Sequence, residues 1–270
     1  MSDESSPSER ILTSTAACEF RQPAEWEPLE AVWLAWPHSR ETWPRRYDRI
    51  PGFFDAWIRL IAESTPVRLL AAGDVRKTAE SMLSKHRDVE VVDIDTDDCW
   101  IRDFGPSFVI HRRDGRVHAV DWRYNAWGGK YPPWDKDAAA AKSICQHRNL
   151  PCHPSSLCLE GGALETDGGG RLLTTPGCLV TDTRNPGWTA NDISRELYRR
   201  LGVSEIVWLD GGGLIGDDTD GHVDQLARFV DPTNVVAAVC DDPSDPNRRA
   251  LESNFWQLRL WAEQTLPRVQ

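Results

Sequence analysis

Asp210-Gly211-Gly212-Gly213-Leu214-Ile215-Gly216-Asp217-Asp218-Thr219-Asp220-Gly221-His222-Val223-Asp224 follows a strand-like run, Glu205 to Leu209, and its reading decides the fold. Gly211, Gly213 and Gly216 satisfy the G-x-G-x-x-G spacing of a dinucleotide-binding turn. Such a turn needs a helix straight after it, whose N-terminus receives the pyrophosphate. No helical period follows here, and Asp217, Asp218 and Asp220 would repel that anion. A nucleotide-binding doubly wound sheet is rejected on both grounds. What remains is an imidazole among carboxylates. If the segment enters a strand, His222 and Asp224 share one face, because side-chain direction alternates with period two. Neighbouring carboxylates raise the basicity of an imidazole and suit it to moving protons. A calcium loop is the competing reading, but no EF-hand spacing is present.

Outward from this stretch, short strands and helices mix. Tyr47 to Ser64 carries apolar residues at helical spacing, with Phe53, Phe54, Trp57, Ile58, Leu60 and Ile61 as its stripe. Val67–Ala71 is expected to be a strand, Val75–Lys85 a helix and Val89–Ile94 a strand. Phe108–Ile110 and Val117–Trp122 form a hairpin pattern across Asp114-Gly115. Leu172–Thr175, Glu205–Leu209 and Val235–Val239 are further strands. Thr189 with Asp192 makes a capping box for a helix ending at Leu201-Gly202. Asp245-Pro246 opens a last helix, packed through Leu251, Phe255, Leu258 and Ala262 and stopped by Leu266-Pro267. Two or three short strands per helix argue for modular α/β units. Residues 1–16 are polar and Ser-rich and are expected to be a disordered tail ahead of one domain over 17–270.

The chain has 270 residues, 40% hydrophobic and 27% charged, as a soluble globular domain does. Lys plus Arg number 31 against 42 Asp plus Glu, a net charge of −11. That balance disfavours nucleic acid as a partner and favours a small cation. No apolar run reaches the roughly 20 residues of a membrane span, and the first residues lack the apolar stretch of a secretory signal. The seven cysteines are odd in number and irregularly spaced, which predicts reduced thiols and a cytoplasmic location. Cys145, His147, Cys152, His153 and Cys158 do not match zinc-ligand spacing, and no metal or other cofactor is implied.

Three more motifs carry chemistry. Asp97-Asp98-Cys99-Trp100-Ile101-Arg102-Asp103-Phe104-Gly105-Pro106 sets a carboxylate beside an aromatic face. A guanidinium needs both, forked hydrogen bonds to an acid and a flat surface to lie on. Leu159-Glu160-Gly161-Gly162-Ala163-Leu164-Glu165 leads a carboxylate into a double glycine that lets backbone approach closely. Asn125-Ala126-Trp127-Gly128-Gly129-Lys130 is another aromatic–glycine loop.

Taken in order, these motifs resemble the agmatine deiminase and bacterial-type peptidylarginine deiminase family. Pro23-Ala24-Glu25-Trp26-Glu27-Pro28 and Ala31-Val32-Trp33-Leu34-Ala35-Trp36-Pro37 look like its opening. Trp100 to Pro106, Glu160-Gly161-Gly162, Arg184-Asn185-Pro186 and Asp217 to Asp224 look like its internal signatures. The resemblance implies a pentein fold, an α/β propeller of ββαβ modules. It implies that Asp103 and Asp224 grip the guanidinium nitrogens, that His222 is the general acid/base, and that Trp100, Glu160 and Asp218 line the substrate pocket. It implies hydrolysis of agmatine to N-carbamoylputrescine and ammonia, with deimination of peptidyl-arginine as the alternative.

The family nucleophile is a cysteine in a glycine-rich segment ending His-Cys, and nothing of that kind follows Val239. The resemblance therefore predicts an incomplete propeller lacking its last module. The competing expectation is a non-catalytic guanidine-binding remnant. A homo-oligomer, or a second chain supplying the module, is the partner left open. Cys99, Cys178 and Cys240 are poor substitutes, since reactive thiols need electropositive surroundings.

Overall fold

The computed structural model describes residues 18–265. The tail expected over residues 1–16 and the helix stop at Leu266-Pro267 lie outside the described residues. The first strand, β1 (Phe20–Arg21), lies on the edge of the second of four small sheets.

The first sheet is all parallel: β2 (Val32–Ala35), β3 (Val67–Leu70) and β4 (Val89–Val92). Its crossovers are α1 (Ile50–Ala62) and α2 (Gly73–Leu83), the arrangement that parallel pairing requires. The strands are short and mostly apolar, and Leu69, Leu70 and Ile58 are fully buried between sheet and helices. Of the stripe expected on α1, Phe54 and Ile58 are buried, whereas Phe53 and Leu60 face out.

A repeating unit follows. A short helix, α3 (Ile101–Phe104), leads into β5 (Ser107–His111), which pairs antiparallel with β6 (Val117–Arg123). After α4 (Ala126–Gly129) and α5 (Asp135–Arg148), β7 (Cys152–Cys158) lies parallel to β6. The same order returns in β8 (Glu165–Thr166) and β9 (Arg171–Thr174), which are antiparallel. Then come α6 (Pro176–Leu179), α7 (Ala190–Leu201) and β10 (Glu205–Trp208), parallel to β9. It starts again with the hairpin β11 (Ala227–Asp231) and β12 (Asn234–Ala237), followed by α8 (Arg248–Thr265). The modular ββαβ expectation therefore holds for the second and third sheets, while the first unit is β-α-β-α-β and the fourth shows ββα among the described residues. The sheets do not join into a closed barrel among the described residues.

The capping box on α7 forms as the sequence predicts, with Thr189 and Asp192 bonding reciprocally. Its Ile193, Leu197 and Leu201 bury against Val109, Val120, Leu157 and Leu172. Under α8, Leu258 and Trp261 pack on Val207, Leu209 and Phe229. Phe255, expected in that stripe, is exposed, and Asn254 takes a buried place by bonding both the N–H and the C=O of Gly211. Pro246 precedes α8 rather than lying in its first turn.

The repetition positions the site. The loops leaving the last strand of the first three units carry, in turn, Trp100 and Asp103 after β4, Glu160 after β7, and His222 with Asp224 after β10. Equivalent connections emerge at equivalent ends, so α3, the turn Gly161–Ala163 and the turn Val223–Gln225 are brought together. No described helix is long and apolar enough to cross a membrane.

Candidate active site

Gly162 marks the point of convergence. A Cβ built on it would stand 2.4 Å from His222 Nδ1, 2.9 Å from Asp103 Oδ1 and 2.9 Å from Asp224 Oδ2. Real Cβ atoms do not come that close, so only glycine lets the three groups surround this backbone. Gly161 serves the same approach, since its Cβ would strike the Arg102 carbonyl at 2.1 Å. The double glycine after β7 is thus what allows α3 and the His222 loop to meet.

Asp103 is 9% exposed. Its Oδ1 accepts from the Gly162 N–H at 3.0 Å and its Oδ2 from Trp127 Nε1 at 3.1 Å. Trp127 reaches it through an unusual loop, with φ of 56° at Trp127 itself and Asn125 Oδ1 accepting from the Gly128 N–H at 2.9 Å. Burial pushes the Asp103 carboxyl above the usual range, against the charge of His222 and the Gly162 hydrogen bond.

His222 is 2% exposed and lies between two acids. Nδ1 stands 3.6 Å from Asp103 Oδ1, and Nε2 faces Glu160 Oε2 at 3.3 Å. Burial alone would lower its pKa, but the Glu160 hydrogen bond and the charges of Asp103, Glu160 and Asp224 raise it above the ordinary imidazole value. From the sequence, His222 and Asp224 share one face if their segment enters a strand. Instead they sit at the start of a single 3₁₀ turn, Val223–Gln225, entered through Gly221 at φ 103°. The convergence expected of them is kept by this turn.

Glu160, expected to line the substrate pocket, is fully buried. It accepts from Arg184 Nε through both oxygens, at 2.9 and 3.0 Å, while also facing His222. Arg184 is buried too, and continues to Asp220 Oδ2 at 2.8 Å and the Thr219 carbonyl at 3.0 Å. One guanidinium thus ties the histidine's partner to the acidic loop that leads into His222.

Trp100 and Asp218 lie further out. Trp100 is 41% exposed and stacks on Trp43, ring centres 5.6 Å apart. Asp218 is exposed, with Oδ2 accepting from the Tyr131 hydroxyl at 2.9 Å, and its carbonyl accepts from Lys130 Nζ at 2.6 Å. The structure therefore brings Asp103, His222 and Asp224 together, sets Glu160 behind the histidine, and leaves Trp100 and Asp218 at the surface. Sequence reasoning gave no role to Trp127, Arg184 or Tyr131, although the first two stood inside quoted motifs.

Burial holds Cys99, Cys158 and Cys178 in the thiol form. Cys158 and Cys178 are fully buried, and burial pushes both thiols up to about 12. Burial and Asp98 push the Cys99 thiol further still. Cys240 Sγ lies 3.9 Å from the Asp242 carbonyl. The arrangement can hold a planar cation between carboxylates, beside an imidazole able to carry a proton.

The sequence matches the Porphyromonas-type peptidyl-arginine deiminase family over residues 21–267. This chain belongs to that family. Agmatine deiminase of Pseudomonas aeruginosa (strain LESB58) is 40% identical over 241 residues, covering 87% of this chain and 65% of that protein. A structure of the agmatine deiminase of Enterococcus faecalis superposes with a TM-score of 0.87 at 31% identity, covering 97% of this chain and 72% of that one. A cysteine-to-serine agmatine deiminase of C. jejuni with substrate bound gives a TM-score of 0.83 at 28% identity, covering 90% and 72%. The fold of this family member is therefore that of the agmatine deiminase structures. The chain spans just under two thirds of the length of the P. aeruginosa protein.

Proposed function

We propose that this chain holds the guanidinium-binding and proton-transfer half of an agmatine deiminase, which converts agmatine and water to N-carbamoylputrescine and ammonia. The observation that carries the reading is the convergence of His222, Asp103 and Asp224 on the Gly162 backbone. Two carboxylates fit the forked edges of a guanidinium, keep it charged, and fix its plane for attack. His222 lies on the same centre and has the raised basicity of a proton carrier. Similarity to curated agmatine deiminases supports agmatine over peptidyl-arginine.

In the family reaction a cysteine thiolate adds to the guanidinium carbon. The C–N bond to the leaving amine breaks as His222 protonates it, and ammonia departs. His222 then takes a proton from water, whose oxygen adds to the same carbon as the C–S bond breaks. The clamp residues serve every one of these steps except the nucleophilic attack, which takes a thiol brought beside the clamp.

Titration of the protein with agmatine, free arginine and an arginine peptide tests this reading. Agmatine should bind saturably and most tightly, and Asp224→Asn should weaken it by about ten-fold or more. Absence of saturable agmatine binding sinks the proposal. Ammonia release that His222→Ala abolishes would separate a working enzyme from a guanidine-binding remnant.

A further inference from the structure

Five side chains from separate parts of the chain form one line of alternating charge that ends at the clamp. Glu165 in β8 is buried, ion-pairs with Arg228 Nε in β11 at 2.5 Å, and accepts from the Phe229 N–H at 2.8 Å. Arg228 Nη2 donates to Glu25 Oε2, and Glu25 Oε1 accepts from Arg102 Nη1 at 2.5 Å. Arg102 Nε then stands 3.8 Å from Asp224 Oδ2. Glu25 lies before β2, in the Pro23–Pro28 segment, where the motifs give it no role. Glu25 is exposed at the surface, and against partial desolvation its two arginines, Arg102 and Arg228, hold its carboxyl below the usual range.

The separation of 3.8 Å is too long for a hydrogen bond but short enough for attraction. Arg102 carries the same chemical group as the substrate. It lies next to Asp103 in sequence and points toward the other acid of the clamp. Left alone, a guanidinium this close would close a forked pair with Asp224 and occupy the edge that the substrate needs. Glu25 engages the Nη1 edge of Arg102 instead.

We infer that Glu25 is a positioning residue that holds Arg102 back from Asp224, keeping the clamp open to an incoming guanidinium. Held at this distance, Arg102 faces Asp224 without filling the site. The inference rests on the guanidinium-clamp reading, and the test separates the two.

Agmatine binding is measured by titration calorimetry on the full chain and its variants, with thermal unfolding as a check on folding. Glu25→Gln frees Arg102 to turn onto Asp224, so the binding-competent fraction falls and the apparent Kd rises by about ten-fold. Adding Arg102→Met removes the internal competitor and returns the affinity to near its original value. A merely structural Glu25 would give the opposite order, with the double variant weaker than the single. If Glu25→Gln does not fold, Glu25→Asp carries the comparison: its affinity should fall and then rise when Arg102→Met is added. Unchanged affinity in Glu25→Gln, or no recovery in the double variant, overturns this inference alone. No agmatine binding by the unmodified chain overturns the clamp reading as well.

Discussion

Arg184 and Glu160 form an ion pair in which neither side chain is exposed to solvent. A buried pair of this kind is costly to assemble, because both ions lose their hydration. It survives here because every oxygen and nitrogen edge is used. Glu160 also faces His222, and Arg184 also binds Asp220 and the Thr219 carbonyl.

Removing one partner leaves the other charge buried and unpaired. Arg184→Met should therefore lower stability by about 3–5 kcal/mol, measured by urea unfolding at neutral pH. Glu160→Gln with Arg184→Met should recover part of that loss, because no bare charge remains. A single-variant loss under about 1 kcal/mol would mean that water reaches the pair.

The raised basicity of His222 makes stability depend on pH with a defined sign. Its protonated form is favoured by folding, so the stabilisation is full below the unfolded imidazole value, about 6.5, and is lost as pH rises through the folded value. The His222 ring resonance, followed by NMR, should titrate above the ordinary value. In Glu160→Gln the strongest opposing interaction is gone and burial should carry the midpoint downward. A midpoint unmoved by that substitution would leave the Glu160 contact without electrostatic effect.

Much of this was legible in the sequence, and the parts that were not have physical reasons. The α7 capping box and the β5–β6 hairpin depend on neighbours in the chain, and both formed as expected. Helix α5 escaped because its buried face is mostly small residues, Ala140 and Ala141 beside Ile144 and Cys145, so no strong apolar stripe marks it. Strand β7 escaped because Pro154 lies within it. At the site, the identities of Asp103, His222 and Asp224 were readable from motifs. The pairing of Arg184 with Glu160 was not, since it joins residues 24 positions apart through a contact that only folding makes.

Gly162 tests whether the convergence is required for binding as distinct from folding. Gly162→Ala places a methyl within 3 Å of His222, Asp103 and Asp224 together. Those groups must shift, at a cost of about 1–3 kcal/mol in stability. Agmatine affinity should fall by more than that stability loss implies, because the displaced atoms are the clamp itself. Thermal unfolding and calorimetric titration on the same sample separate the two. Wild-type affinity in a folded Gly162→Ala chain would place the guanidinium elsewhere.

Asp137 shows the reverse pH dependence. It is buried, accepts from the backbone N–H of Asp97 at 2.7 Å and of Asp98 at 3.3 Å, and so fastens the loop that leads to Trp100 and Asp103. Burial pushes its carboxyl up to about 7, against those two hydrogen bonds. Folding thus disfavours its ionised form, and the penalty grows as pH rises from the unfolded aspartate value, about 3.9, to the folded one. Asn keeps an oxygen that can accept the same N–H groups but carries no charge. Asp137→Asn should therefore be the more stable protein at pH 8, by about 1–3 kcal/mol, and should lose that advantage at pH 4. Urea unfolding at the two pH values checks this. An Asn variant that is less stable at both would show that the second amide proton finds no acceptor, and that its desolvation outweighs the relief of charge.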